Sequence, residues 1–313
     1  MKRFNIMVKK LKEGVKRLRN EIRLHTYRGK TTCMIGTMPK SGTWLCQYFF
    51  WSLKKYIENS NFDFINYNFK KAKVGNFYNF NDSTIFIGHA SCPGYDLCSD
   101  DVYKDSWMKL RFWNSGYNWM NREIGKIYNP SFNQDVKILY VYREPLSQIF
   151  SLYNYCKQHS NALHRKSSSL SLIDFYTELS AIESYIKQFH TYKIMKKKFP
   201  NNILIIKYEE LIKSPLDHFT KICNFFNVTN EKNLYTSEIK QATNFVDINN
   251  LKEIEKRKKR SLANDGSRSS HIQGTSHGHY SDYLKNNDLN KINNKLNILG
   301  YNLKDFNSFH NVK

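Results

Sequence analysis

Short apolar runs that alternate with helical stretches constrain this chain more than any other feature. TTCMI at 31–35, TIFI at 84–87, VKILYVY at 136–142 and NILIIK at 202–207 are rich in β-branched and aromatic residues. Each is only strand-length, and none shows the strict apolar–polar alternation of a sheet with one wet face. Between and after them run helical patterns at 42–57, 145–156, 173–199 and 215–226, the last with Pro215 near its first turn. Strands separated by helices predict an α/β fold: a parallel sheet covered by helices on both faces. No repeat and no internal domain boundary interrupt the pattern, so residues 31–313 are read as one domain. Two stretches, 158–171 and 256–278, are rich in Ser, His, Gly or basic residues and read as long loops.

Residues 1–30 are read separately, as a basic amphipathic helix. Phe4, Met7, Leu11, Val15, Leu18 and Ile22 recur at helical spacing, and Lys and Arg crowd the rest. Such a stripe ordinarily packs on a core. Its basic face also suits weak contact with an anionic membrane surface. The whole chain carries a formal net charge of +22, which favours polyanionic partners without naming one. Six cysteines stand at 33, 46, 92, 98, 156 and 223 with no CxxC and no zinc-ligand spacing, so they read as reduced thiols, with a Cys92–Cys98 pair as the lesser alternative. No apolar run approaches the roughly 18 residues of a membrane span, and no signal-peptide pattern opens the chain. These features set the expectation of a soluble, cytoplasmic protein.

The first strand runs directly into MPKSGTW at 38–44 and then into a helix. A strand, a Ser/Gly/Thr turn and a helix start form an anion site, because the first amides of a helix lack partners and its dipole favours negative charge. Lys40 adds a full positive charge, and Ser41 and Thr43 add hydroxyls. The loop is not the nucleoside-triphosphatase type, which reads GxxxxGK[ST] and pairs with a strand ending in a metal-binding Asp. Here Lys40 precedes Gly42 by two residues, and ILYVY ends in Arg143. The reading is a phosphate site that works without a metal.

PKSGTW after a strand resembles the signature of the sulfotransferases that use PAPS, 3′-phosphoadenosine-5′-phosphosulfate. The resemblance continues through YREPLSQIFSLYNY, with Arg143 after a strand and Ser151 eight residues on, through NILIIKYEELIKSP, and through ATNF at 242–245. It covers about residues 31–280. It implies PAPS as co-substrate, with Lys40, Ser41, Gly42, Thr43 and Trp44 around the 5′-phosphosulfate and Arg143 and Ser151 on the 3′-phosphate. Tyr208, Thr243 and Phe245 would hold the adenine. A guanidinium fits a phosphate as a planar, two-pronged donor. The sequence departs from the family in three respects. One Thr, not two, precedes Trp44, and HIQGTSHGHY at 271–280 stands where the family has RKGxxGxW. Arg268 or His271 is then the candidate cation, and Gly274 the candidate backbone contact. The family's short C-terminal dimerisation motif is absent, which leaves the oligomeric state open.

Sulfuryl transfer needs a base for the acceptor proton and a cation for the leaving phosphate. His89, read as the end of STIFIGH, is the expected base, with an ordinary pKa of about 6.5 suited to neutral pH. His277 and His279 are rivals. Lys40 is the expected cation. The segment 62–128 is rich in rings, Trp107, Trp113 and Trp119 among them, and reads as the wall for a small-molecule, lipid or sugar acceptor bearing a hydroxyl or amine. Two other classes compete. A P-loop kinase of small molecules would require magnesium. A basic nucleic-acid-binding protein would suit the charge, but no DNA- or RNA-binding motif is evident, and no nucleic-acid partner is expected.

Overall fold

The computed structural model describes residues 31–37, 40–58, 77–91, 110–113, 123–127, 136–158, 170–177, 181–230, 233–258, 279–298 and 300–303. The expected helix at 1–30, most of both long loops, and Arg268, His271, Gly274 and His277 lie outside them, as do Trp107 and Trp119.

The strands are β1 (Thr31–Thr37), β2 (Phe77–Asn79), β3 (Ser83–Ser91), β4 (Leu110–Trp113), β5 (Glu123–Ile127), β6 (Val136–Tyr142) and β7 (Ile203–Lys207). They form one seven-stranded sheet in the order β5-β4-β3-β1-β6-β7, with β2 also on β3. The four expected strands, β3, β1, β6 and β7, pair in parallel. The sheet is not parallel throughout: β2 and β4 run antiparallel to β3, and β5 antiparallel to β4. β2 ends at Asn79 and β3 starts at Ser83, a connection too short for a parallel crossover, so these two strands fold back on one another.

Helices cover both faces, as expected. Side chains of the parallel strands alternate between two cores. Cys33, Ile35, Leu139, Val141 and Ile206 point one way, towards α1 (Thr43–Glu58), α6 (Pro215–Phe225), α7 (Thr236–Phe245) and α8 (Ile248–Lys258). Met34, Ile138, Tyr140 and Tyr142 point the other way, towards α2 (Pro145–Gln158), α3 (Leu172–Thr177), α4 (Ala181–Lys198) and α9 (Asn286–Ile298). Rings bind the layers. Phe49 of α1 stacks on Phe219 of α6 with centroids 3.7 Å apart, and Tyr140 of β6 stacks on Tyr192 of α4 at 4.0 Å. Such pairs add roughly 0.5–1.5 kcal/mol beyond their buried area.

The single helix expected over 173–199 is two, α3 and α4. Thr177 ends the first: its carbonyl accepts from Lys295 Nζ on α9, a partner 118 residues away. The strand expected to end at His89 continues to Ser91, because β4 pairs with its last three residues. No helix among the described residues is long and apolar enough to cross a membrane.

Candidate active site

Parallel strands that share a direction bring their C-terminal ends to one edge. In register, Thr37 of β1 lies beside His89 of β3 and Val141 of β6, and Tyr142 of β6 lies beside Lys207 of β7. The chain leaves β1 towards β3 on one side and returns through β6 on the other. The crevice between β1 and β6 is therefore the topological switch point, where open α/β sheets bind ligands. Lys40 and Arg143, expected from sequence as the two cations, flank it.

The turn after β1 is shaped by two left-handed residues, Lys40 at φ 67° and Gly42 at φ 90°. Gly42 requires its missing side chain. A Cβ there would lie 2.8 Å from Tyr208 Cδ2, against the ring of the first residue of α5 (Tyr208–Lys213). Lys40 adopts the left-handed region despite its side chain, a conformation uncommon outside glycine. Gly42 caps α1 by accepting from Cys46 N at 3.0 Å. The hydroxyls of Thr37 and Thr43 meet across the turn, tying the end of β1 to the start of α1. Between them Ser41 is fully buried, and its Oγ has no hydrogen-bond partner among the described residues. α1 has no acidic residue in its first turn. This is an electropositive end with a hydroxyl held ready.

Arg143 reaches the same turn. Its Nη1 donates to the Lys40 carbonyl at 3.4 Å, and its guanidinium carbon lies 5.3 Å from the centroid of the Tyr208 ring. Tyr185 on α4 donates its hydroxyl to the Arg143 carbonyl, fixing the backbone. Burial pushes the Tyr185 phenol well up, which keeps the proton it donates. Burial also raises Tyr208, and the Arg143 charge pulls it partly back. The Lys40 ammonium lies 4.8 Å above the ring of Tyr155 on α2. Tyr155 is one helical turn beyond Ser151, so the two share a face of α2.

The structure thus brings together Lys40, Ser41, Gly42, Thr43, Arg143 and Tyr208. Ser151 shares the face of α2 that carries Tyr155. Trp44 packs partly buried beside Tyr48, 5.5 Å between rings. Thr243 turns its hydroxyl back to the Ile239 carbonyl at 2.7 Å, and Phe245 is buried with its ring 6.0 Å from that of Trp51. His89 is placed by its backbone opposite Thr37 on one side and Trp113 of β4 on the other. His279 caps the short 3-10 turn Tyr280–Asp282, accepting from Ser281 N. Among the described residues no His, Cys, Asp and Glu side chains cluster to hold a metal ion.

Sequence reading missed Tyr155, Tyr185, Glu144 and Glu209. The signals were partial. Glu209 follows Tyr208 in the YEEL turn, and Glu144 follows Arg143. The two tyrosines read as two rings among 21 tyrosines.

A strand–turn–helix with a buried, unpartnered hydroxyl, a lysine and an arginine thus stands at the switch point of an α/β domain. Residues 30–306 match the sulfotransferase domain family, and the chain belongs to it. No curated protein matches the chain. Among solved structures it is similar to the mouse sulfotransferase SULT7A1 complexed with PAP, at 16% identity over 86% of this chain and 84% of that one, with a TM-score of 0.46. It is also similar to retinol dehydratase in complex with androsterone and inactive cofactor PAP, at 15% identity over 84% and 78%, with a TM-score of 0.46. A third likeness is to a sulfotransferase from Alicyclobacillus acidocaldarius, at 13% identity over 72% and 94%, with a TM-score of 0.27.

Proposed function

We propose that this chain passes the sulfuryl group of PAPS to the hydroxyl, or amine, of a small-molecule, lipid or sugar acceptor. The observation that carries the reading is the 3.4 Å bond from Arg143 to the Lys40 carbonyl, which ties a cation at the end of β6 to the left-handed turn at the end of β1. A nucleotide with phosphate at two ends matches two such points.

On this reading His89 takes the acceptor proton as the new S–O bond forms. The bond from sulfur to the 5′-phosphate oxygen breaks, and that oxygen keeps the electron pair beside the Lys40 ammonium. Ser41, Thr43 and the start of α1 hold the 5′-phosphate, Arg143 and Ser151 the 3′-phosphate, and Trp44 and Tyr208 flank the base. Thr243 and Phe245 support the adenine side from α7, and Arg268 and Gly274 complete the 3′-phosphate grip.

Calorimetry and labelled-PAPS transfer test the reading. Adenosine 3′,5′-bisphosphate is expected to bind without added metal, and Arg143→Ala to weaken it at least tenfold. Lys40→Ala and His89→Ala are expected to lower transfer by about 10²–10³ or more on whichever acceptor of a phenol, steroid, lipid, sugar and amine panel is used. Metal-requiring capture of ATP with indifference to the bisphosphate would favour a kinase and end this reading.

A further inference from the structure

Three contacts hold the Arg143 guanidinium. Nη1 is on the Lys40 carbonyl, the flat face is over Tyr208, and Nε faces Glu209 Oε1 at 3.6 Å. Among the described residues no protein atom accepts from Nη2. Glu209 does two things at once. The same Oε1 accepts the Glu144 amide at 3.2 Å, just where the chain turns from Arg143 into α2. Its other oxygen, Oε2, is buried without a hydrogen bond, and so is Arg143 Nε. The 3.6 Å approach is an ion pair that stops short of a hydrogen bond, and a shift of about half an ångström would make it one.

We propose that Glu209 is a positioning residue for the phosphate-binding arginine. Its carboxylate anchors the guanidinium by the Nε edge and its backbone by the Glu144 amide, so that Nη2 is presented to the crevice. The inference rests on the function proposed above. Its chemistry has two opposing parts. A carboxylate near a phosphate site repels the ligand. It also removes the rotational freedom of a long side chain, and a planar guanidinium binds phosphate well only when its edge is aimed. The carboxylate meets the guanidinium at its Nε edge while Nη1 reaches the turn after β1, so on this proposal aiming outweighs repulsion.

The test is calorimetric, on the full chain, with adenosine 3′,5′-bisphosphate and adenosine 5′-monophosphate as probes. Glu209→Gln keeps the shape and the acceptor for the Glu144 amide but removes the charge. It is expected to weaken the bisphosphate about three- to tenfold. The monophosphate, which lacks the group Arg143 grips, should stay within about twofold. In an Arg143→Ala background the same change should cost nothing further, because its effect passes through Arg143. Glu209→Asp, which keeps the charge at shorter reach, should recover part of the loss. Tighter bisphosphate binding by Glu209→Gln would show simple repulsion and overturn the proposal. So would an equal loss for both probes, or an undiminished loss without Arg143. A wild-type chain that fails to prefer the bisphosphate over the monophosphate would instead refute the function on which the proposal stands, and the proposal with it.

Discussion

Ser41→Ala separates stability from ligand binding at one atom. Ser41 is fully buried, and its Oγ has no hydrogen-bond partner among the described residues. A buried hydroxyl without a partner costs about 1–3 kcal/mol, whereas an apolar group of nearly the same shape costs nothing of that kind. The unliganded variant should therefore be as stable as the parent, or more stable by about 1 kcal/mol. If the hydroxyl meets the 5′-phosphate, its loss removes a hydrogen bond to a charged group, worth about 1.5–3 kcal/mol, or about 10- to 150-fold in affinity. Urea unfolding reads both effects. At adenosine 3′,5′-bisphosphate near 100 times the parental Kd, the ligand should stabilise the parent by about 2.7 kcal/mol. At the same concentration the variant should gain only about 0.3–1.4 kcal/mol. A fall in unliganded stability of more than about 1 kcal/mol would mean that the folded protein already satisfies the hydroxyl. An undiminished ligand increment would mean that the hydroxyl is not in the phosphate site.

The remaining predictions concern the turn and the buried acids. Gly42→Ala places a methyl 2.8 Å from Tyr208 Cδ2 at φ 90°. Strain and overpacking outweigh the entropy gain, so the urea midpoint should fall by the equivalent of about 2–4 kcal/mol; in a Tyr208→Ala background only the overpacking part should go, leaving the backbone strain of about 1–3 kcal/mol. A neutral Gly42→Ala would refute the left-handed turn. Cys33, Cys46 and Cys223 are buried free thiols. Burial raises all three, Cys46 to about 12. At pH 8 no more than the other three of the six cysteines should react quickly with a thiol reagent in the native protein, and all six after denaturation; a fourth fast thiol would contradict it. Because burial raises these thiols and the Tyr208 and Tyr185 phenols, the folded state holds their protons more tightly than the unfolded chain does. Their contribution is complete below the ordinary thiol value of 9.0 and is lost as pH rises above it, so a urea midpoint that climbs between about pH 9 and 11 would be the wrong sign.

The residues most legible in sequence are those whose surroundings leave little choice. VKILYVY reads as a strand at the right bounds because both faces are buried, Tyr140 and Tyr142 towards α4 and Leu139 and Val141 towards α1. The MPKSGTW turn is legible because left-handed backbone and a helix start leave a local signature. What escaped depends on distant partners. The end of α3 is marked by Lys295, far along the chain, which donates to the Thr177 carbonyl, a partner that no local pattern announces. The extension of β3 past His89 depends on β4, which comes from a segment that reads as pocket wall. Glu209 matters only because the β6–β7 register sets it beside Arg143, a relation that sequence spacing does not contain.

The two helices that start at the crevice are treated in opposite ways. α2 begins behind Glu144, whose carboxylate accepts from Leu146 N at 3.0 Å and Ser147 N at 2.7 Å. Its first amides are already taken by a negative group, so a second anion gains little there. α1 begins behind Gly42, has no acid in its first turn, and is preceded by Lys40. An anion that uses a helix dipole at this edge is therefore directed to α1. A second anionic group near β6 has to be met by a side chain, and Arg143 stands there, just ahead of the closed helix. On the proposed function this assigns the two phosphates to two chemistries: amides and hydroxyls for the one that departs with the reaction's electrons, a guanidinium for the one that only anchors. Replacing Glu144 by Gln would weaken the cap on α2 and make its end a competing site, which is why the acid belongs beside the arginine.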